Sequence, residues 1–212
     1  MSNAASLFKR RSAIIAVLEL ARKELVMSTQ VSAQPKATVE DLYRVPEHGK
    51  AELIDGEVVR LMPTGGIPSR ASLNLAISLR LHEQAHGGGY AVADNAGFIV
   101  NLPHRESFSP DAAWWTGAVT MKFFDGAPAF AAEVRSENDY GKIAEEQIAA
   151  KRRDYFATGT QVVWDVDLLS DDVVRVYRAS APEEPTLYRR GAMAEAEPAV
   201  PGWRFPVEEL FR

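Results

Sequence analysis

Apolar positions along the chain change period several times, and each change marks an element. In "AELIDGEVVRLM", residues 51–62, two short apolar runs flank Asp55-Gly56. Asp-Gly between strand-like runs predicts a two-residue hairpin. In "SRASLNLAISLRLHEQAH", residues 69–86, Leu73, Ile77 and Leu81 recur at spacing four, which predicts a helix that Gly87-Gly88-Gly89 ends. Strands are expected near 90–94, 97–102, 110–115 and 128–135, with glycine and proline between them. A helix over 141–158 follows, closed by Gly159, and "QVVWDVD" and "DVVRVYR" give two more strands. The C-terminus holds a short strand and a half-turn at "PVEELF". Upstream, Thr38 and Asp41 have the spacing of a capping box, so a short helix is expected over 38–44.

Strands flanked by two substantial helices predict an α/β domain over residues 38–212, a mixed central sheet flanked by helices. Residues 1–37 read as an N-terminal arm, a helix plus a polar linker. Its "FKRRSAIIAVLELA" has the basic head and apolar run of a signal peptide, but Glu19 interrupts the run and Arg22, Lys23 and Glu24 follow it. An amphipathic helix fits that pattern better than a cleaved leader. Met27 opens a segment that itself reads as a natural start, so residues 1–26 are either a native arm or an upstream extension.

Composition narrows the chemistry. The chain has no cysteine, which excludes disulfides, thiolate metal sites and cysteine nucleophiles. A formal net charge of -5 argues against a protein that coats nucleic acid, because phosphate contacts need clustered Lys and Arg. No stretch approaches the roughly 20 apolar residues of a membrane span, so no membrane association is expected and the location reads as cytoplasmic.

Two acids break otherwise apolar strands. Glu133 lies within "APAFAAEVRSEND", and Asp111 opens the run in "SPDAAWW". A carboxylate in a core strand costs several kcal/mol unless it is paired, hydrogen-bonded or bound to a cation. Two carboxylates converging at a sheet edge make a hard-cation site for Mg²⁺ or Mn²⁺. On the next helix, Ala144, Gln147, Ile148, Lys151 and Tyr155 fall on one side, while Lys142, Arg153 and Asp154 point elsewhere. Lys151 therefore sits mid-way along the face expected to be buried, a poor place for an ammonium without acids nearby. Simpler readings exist for each residue. Asp111 could bond a turn backbone, Glu133 could pair with Arg135, Glu52 could be a hairpin edge residue, and Lys151 could reach water along its own stem.

"ELIDGEV", "SPDAAWW", "AAEVRSEND", "KRRDYFATGTQVVWDVD" and "VVRVYR" follow one another in an order that resembles the Uma-type family of restriction endonucleases, a branch of the PD-(D/E)xK nuclease superfamily. The resemblance covers roughly residues 38–212. It implies a restriction-endonuclease-like core and a metal-dependent phosphodiesterase acting on DNA. Asp111 matches the aspartate of the Pro-Asp motif, and Glu133 the glutamate of the Glu-x-Lys motif. With the Val134 carbonyl they would hold Mg²⁺ or Mn²⁺; Glu52 matches a further acid that would hold an outer water or a second ion. The motif's lysine position carries Arg135 instead, and arginine cannot act as a base. Lys151 is then expected to be a migrated catalytic lysine, with a pKa that burial can lower. Arg135 is expected to support Glu133 or the phosphate, and Arg135→Lys to be tolerated. Another departure is the absence of a histidine near residue 69, where the chain reads Pro68-Ser69-Arg70. DNA binding is expected to be weak and salt-sensitive, and a homodimer suits a small nuclease that must cut both strands.

Two alternatives remain at this level. One is a catalytically weak nuclease-fold module used for binding or assembly, which the acidic balance and Arg135 favour. The other is a zinc peptidase through His82-Glu83-His86 in "HEQAH", which fits H-E-x-x-H. A catalytic zinc needs a third protein ligand, and the nearest candidates, His104 and Glu106, are on no expected helix.

Overall fold

A computed structural model describes residues 36–46 and 49–212. The expected helix or leader within residues 1–26, and the linker up to Pro35, lie outside the described residues. Lys36 and Ala37 run beside the first hairpin, where the Ala37 N–H donates to the Gly56 carbonyl at 2.7 Å. Helix α1 (Val39–Tyr43) starts at the expected capping box: the Thr38 N–H donates to the Asp41 carboxylate at 2.9 Å.

Strands β1 (Ala51–Ile54) and β2 (Glu57–Arg60) pair antiparallel around Asp55 and Gly56, whose φ angles are 54° and 77°. Both central residues are thus left-handed, as the twist of a tight hairpin requires. Helix α2 (Gly66–His86) follows. Then come β3 (Tyr90–Ala93), β4 (Phe98–Leu102), β5 (Arg105–Phe108), β6 (Ala112–Trp115), β7 (Phe124–Asp125) and β8 (Phe130–Val134). After helix α3 (Lys142–Ala157), the chain adds β9 (Val162–Val166), β10 (Val174–Arg178), β11 (Ala181–Tyr188), β12 (Met193–Glu195) and β13 (Arg204–Pro206), and ends in a 3₁₀ turn at Val207–Phe211.

The central sheet has six strands in the order β11-β10-β9-β8-β6-β3 and is mixed, because β8 and β9 run parallel while their neighbours are antiparallel. Its even-numbered positions, among them Ala112, Trp114, Phe130, Ala132 and Trp164, bury one face beneath α2 and the C-terminal segment. Odd-numbered Ala113, Trp115, Ala131 and Val163 line the other face, with Phe98 and Phe108 from the second sheet and Tyr155 from α3. That second sheet, order β2-β1-β5-β4-β7, was not expected from the sequence, which pointed to one sheet. For the second sheet the reason lies in β5, and a strand of the central sheet, β11, is hidden in the sequence as well. In β5, Arg105 and Ser107 are buried alongside Phe108, so polar side chains take inward positions and the pattern does not read as apolar alternation. Two prolines mask β11, and its place at the sheet edge is where proline is tolerated.

Helix α2 forms where spacing predicts it, beginning three residues earlier than Ser69. The stripe that signals it faces outward, however: Leu73, Ile77 and Leu81 are 52%, 49% and 61% exposed. A second stripe, Ala71, Leu75 and Leu79, packs on Trp114 and Phe130 instead. Both stripes have period four, and they differ in bulk. Alanine at 71 and 76 lets the backbone approach the tryptophan-rich sheet, which the larger stripe would not. In urea unfolding, Leu75→Ala is expected to cost about 2–5 kcal/mol, whereas Ile77→Ser should stay within about 0.5 kcal/mol. Equal losses at the two positions would contradict this packing.

Candidate active site

Register brings the two strand acids together. Strands β6 and β8 pair antiparallel with Ala112 opposite Ala132, and the Asp111 N–H donates to the Ala132 carbonyl at 3.1 Å. Asp111 is therefore the next residue out on β6, across from Glu133, and both belong to the odd-numbered face. One Asp111 oxygen accepts the Val134 N–H at 2.8 Å, which fixes the carboxylate against the neighbouring strand. Its other oxygen accepts from the Lys50 ammonium at 2.7 Å, and the same ammonium lies 2.6 Å from Asp94.

Helix α3 brings Lys151 and Tyr155 over this pair, one turn apart. The Tyr155 hydroxyl donates to one Glu133 oxygen at 2.6 Å, and Lys151 donates to the other at 3.0 Å. Lys151 Nζ also lies 2.9 Å from Glu52 on β1, so it bridges the two sheets. Glu52 is nearly sealed, its side chain 3% exposed, and accepts the Ser109 N–H at 3.0 Å and the Arg105 guanidinium at 2.7 Å. Arg105 continues to Asp154 at 2.8 Å, and Asp154 also contacts His104 at 2.8 Å. Asp154 thus turns inward toward β5, contrary to its expected outward place, while Gln147, expected to be buried, is exposed.

These contacts set the charges. Burial pushes the Glu133 carboxyl up; Lys151 pulls it back, but repulsion from Asp111 and Glu52 leaves it above the usual carboxylate range. Burial also opposes ionisation of Glu52, but Lys151 and Arg105 outweigh it and hold that carboxyl low. For Lys151 burial alone would lower the ammonium; Glu133 and Glu52 reverse the effect and hold it above the ordinary lysine value. The sequence suggested a lysine lowered by burial, a potential base; this lysine is instead a fixed positive charge. Lys50 is likewise raised: burial works against its charge, and Asp111 and Glu133 more than compensate. Desolvation and then Glu133 push the Tyr155 hydroxyl well up, so it stays a donor.

Arg135 is elsewhere. Its guanidinium forms a two-pronged pair with Asp165 on β9, both contacts at 2.7 Å, and also holds Glu145 in the first turn of α3. Asp167 and Arg175 complete the cluster: Arg175 lies 3.5 Å from Asp165 and 3.3 Å from Asp167. Tyr140 donates to Asp167 at 3.0 Å. The cluster ties the end of β8 to β9 and to the start of α3, the helix that carries Lys151. His82 and His86 stack on one another at 4.5 Å, and Glu83 accepts the Ala91 N–H at 2.9 Å, anchoring α2 to β3. His104 is engaged with Asp154 and brings no third ligand to them.

Among the described residues no group of three or more His, Cys, Asp or Glu side chains is arranged to hold a metal ion. Two carboxylates facing each other suit Mg²⁺ or Mn²⁺, ions that keep several waters and share substrate oxygens, and do not suit an all-protein zinc cage. Glu133 retains 26% side-chain exposure, so it opens to solvent where Glu52 does not. The sequence reading singled out Asp111, Glu133, Glu52 and Lys151, and these four are brought together. It missed Lys50, Asp94, Arg105 and Asp154, and gave Tyr155 no bond. Lys50 did carry a signal, two residues before Glu52 along the same extended segment.

Residues 39–208 match the model of the Uma2 family, described as "Putative restriction endonuclease". The chain belongs to that family. A crystal structure from Anabaena variabilis, described as "a putative nuclease belonging to DUF820", superposes with a TM-score of 0.64 over 82% of this chain and 97% of the other, at 18% identity, a likeness of fold. No curated protein matches the chain. Family and fold together put it in the nuclease class, with a restriction-endonuclease-like architecture. No described helix is long and apolar enough to cross a membrane.

The Arg135 cluster makes a prediction opposite to tolerance. Arg135→Met strands Asp165 and Asp167 as buried, under-compensated charges and should cost about 3–5 kcal/mol. Arg135→Lys loses the two-pronged geometry and should also lower the melting temperature. A lysine variant as stable as the parent would show that the cluster does not hold α3.

Proposed function

We propose that the chain is a Mg²⁺- or Mn²⁺-dependent endonuclease that hydrolyses DNA phosphodiester bonds. The observation that carries this reading is the cross-strand pair Asp111–Glu133 with Lys151 held against Glu133. Asp111 and Glu133, with the Val134 carbonyl, would hold the ion. When bound, the ion supplies Lewis acidity toward a phosphoryl oxygen and a water of lowered pKa.

The protein's own groups supply the rest. Lys151 stays protonated and presents fixed positive charge to the phosphate as negative charge builds there. Glu52 grips Lys151 from the sealed side, so the ammonium needs no reorientation during the reaction. Tyr155, as donor, fixes the rotamer of Glu133. Because Glu52 has oxygens committed to Arg105, Ser109 and Lys151, we assign it to positioning Lys151 rather than to a second ion. Net charge of -5 makes DNA binding weak and salt-sensitive, with affinity concentrated at the lysines of the cleft.

A second reading, a nuclease-fold module that binds without cutting, draws support from the same lysines. Lys50 and Lys151 already offset Asp111 and Glu133. Metal titration and cleavage separate the two. Purified protein should nick or degrade DNA with Mg²⁺ or Mn²⁺ and stop in EDTA. Asp111→Asn and Glu133→Gln should each abolish cleavage and weaken Mn²⁺ binding, and Lys151→Met should slow cleavage by ~100-fold or more while sparing Mn²⁺ binding. Cleavage that survives the double carboxylate substitution would remove the assignment; folded protein without metal-dependent cleavage would favour the binding module.

A further inference from the structure

Beside the acids lies a cavity of about 210 Å³ that the chemistry above does not use. Leu42, Tyr43 and Phe123 give it apolar and aromatic lining, and Gly49, Ala51, Asn95 and Ser109 also line it. Tyr43 and Phe123 stack with ring centroids 4.0 Å apart and 12° between planes. The Phe123 N–H donates to the Tyr43 hydroxyl at 2.8 Å, which fixes one ring to the other's backbone. Gly97 allows this packing, since a Cβ there would come within 2.7 Å of the Phe123 ring. The aromatic lining is thus built and held.

The cavity shares its partition with the catalytic groups. Gly49 precedes Lys50, Asn95 follows Asp94, and the Ser109 N–H is the one bonded to Glu52. Lining residues thus adjoin Lys50, Asp94 and Glu52, along the chain or through one hydrogen bond. Nothing charged lines it among the described residues. Apolar, aromatic and amide lining suits a flat, neutral ring with polar edges. Pockets for drug-sized ligands run roughly 300–1,000 Å³, so this one holds a single ring system. Enzymes that act beside an extruded base combine these features: an aromatic or apolar wall for stacking, and amide or hydroxyl groups for the base edge.

Resting on the nuclease reading, we infer that this cavity receives the nucleobase next to the scissile phosphate. The substrate at the cut is then unpaired: a single strand, a frayed end or a mismatch. Tyr43 and Phe123 extend the stack, and the Asn95 amide and Ser109 hydroxyl face the base edge. Cleavage depends on unstacking one nucleotide rather than on reading a duplex groove.

The test uses the full chain, Ca²⁺ in place of Mg²⁺, and a short single-stranded oligonucleotide carrying 2-aminopurine, compared with the same-length abasic strand. Stacking should quench the 2-aminopurine fluorescence, and the abasic strand should bind about 10-fold more weakly or worse. Tyr43→Ala should abolish the quenching and weaken the intact strand by a similar factor, while Tyr43→Phe, which keeps the ring, should retain the quenching. Asn95→Gly removes the amide at a position whose φ is 66° and adds no charge; it should weaken the intact strand and leave the abasic strand almost unchanged. Equal affinity for the intact and abasic strands, from protein that still cuts DNA with Mn²⁺, overturns the base site and leaves the nuclease reading standing. Quenching that responds to Tyr43→Ala in protein that never cuts supports the base site and overturns the hydrolytic reading.

Discussion

One ammonium group ties the molecule's chemistry to its architecture. Lys151 donates to Glu133 on the six-stranded sheet and lies against Glu52 on the five-stranded sheet, from a helix that belongs to neither. Removing it would leave two carboxylates facing each other across a largely buried gap. Their repulsion, with their lost hydration, would then oppose the docking of the sheets. The same contact gives the lysine its character. A buried lysine with no acids tends toward the neutral amine, whereas this one is forced to stay charged. Its fixed charge and its value as an inter-sheet tie have the same origin.

Arg105 and Arg135 repeat this arrangement on either side. Arg105 links Glu52 to Asp154, so the strand and the helix that hold Lys151 are also held to each other. Arg135 does the same between β8, β9 and the first turn of α3. Each arginine uses its planar fork to serve two acids, and Arg135 grips Asp165 with two parallel bonds, a geometry a lysine cannot offer. Arg135 is thus structural, and the ammonium beside Glu133 comes from the helix above it.

Much of this was legible in the sequence, and the reasons differ by residue. Glu133 and Asp111 stood out because a charge inside an apolar run is costly, so its presence signals a partner. Lys151 stood out because it sat mid-way along the helix face expected to be buried. Arg105 and Ser107 hid the strand they occupy, since inward polar residues look like a loop when their partners are far along the chain. Asp154 was set aside for the same reason: helical spacing allots it a side, but only the position of β5 tells whether that side is buried. Leu73, Ile77 and Leu81 marked their helix correctly and its buried face wrongly, because periodicity reports a stripe without saying which of two stripes the sheet can approach. The second sheet and the cavity at its margin arise from packing between distant segments, which no local pattern encodes.

The bridge from Glu52 to Lys151 also bears on the order in which the chain matures. The residues it joins are nearly half the chain apart in sequence, and the β1–β5 pairing that steadies Glu52 is also non-local. Contacts of such long span close late, because the loop entropy must be met before they reward it. A folding chain can therefore align β6 with β8, and so hold Asp111 beside Glu133, before the five-stranded sheet docks. At that stage Glu52 is not in place to grip Lys151. The full constellation exists only once both sheets have met, so the site itself serves as a marker of completed folding.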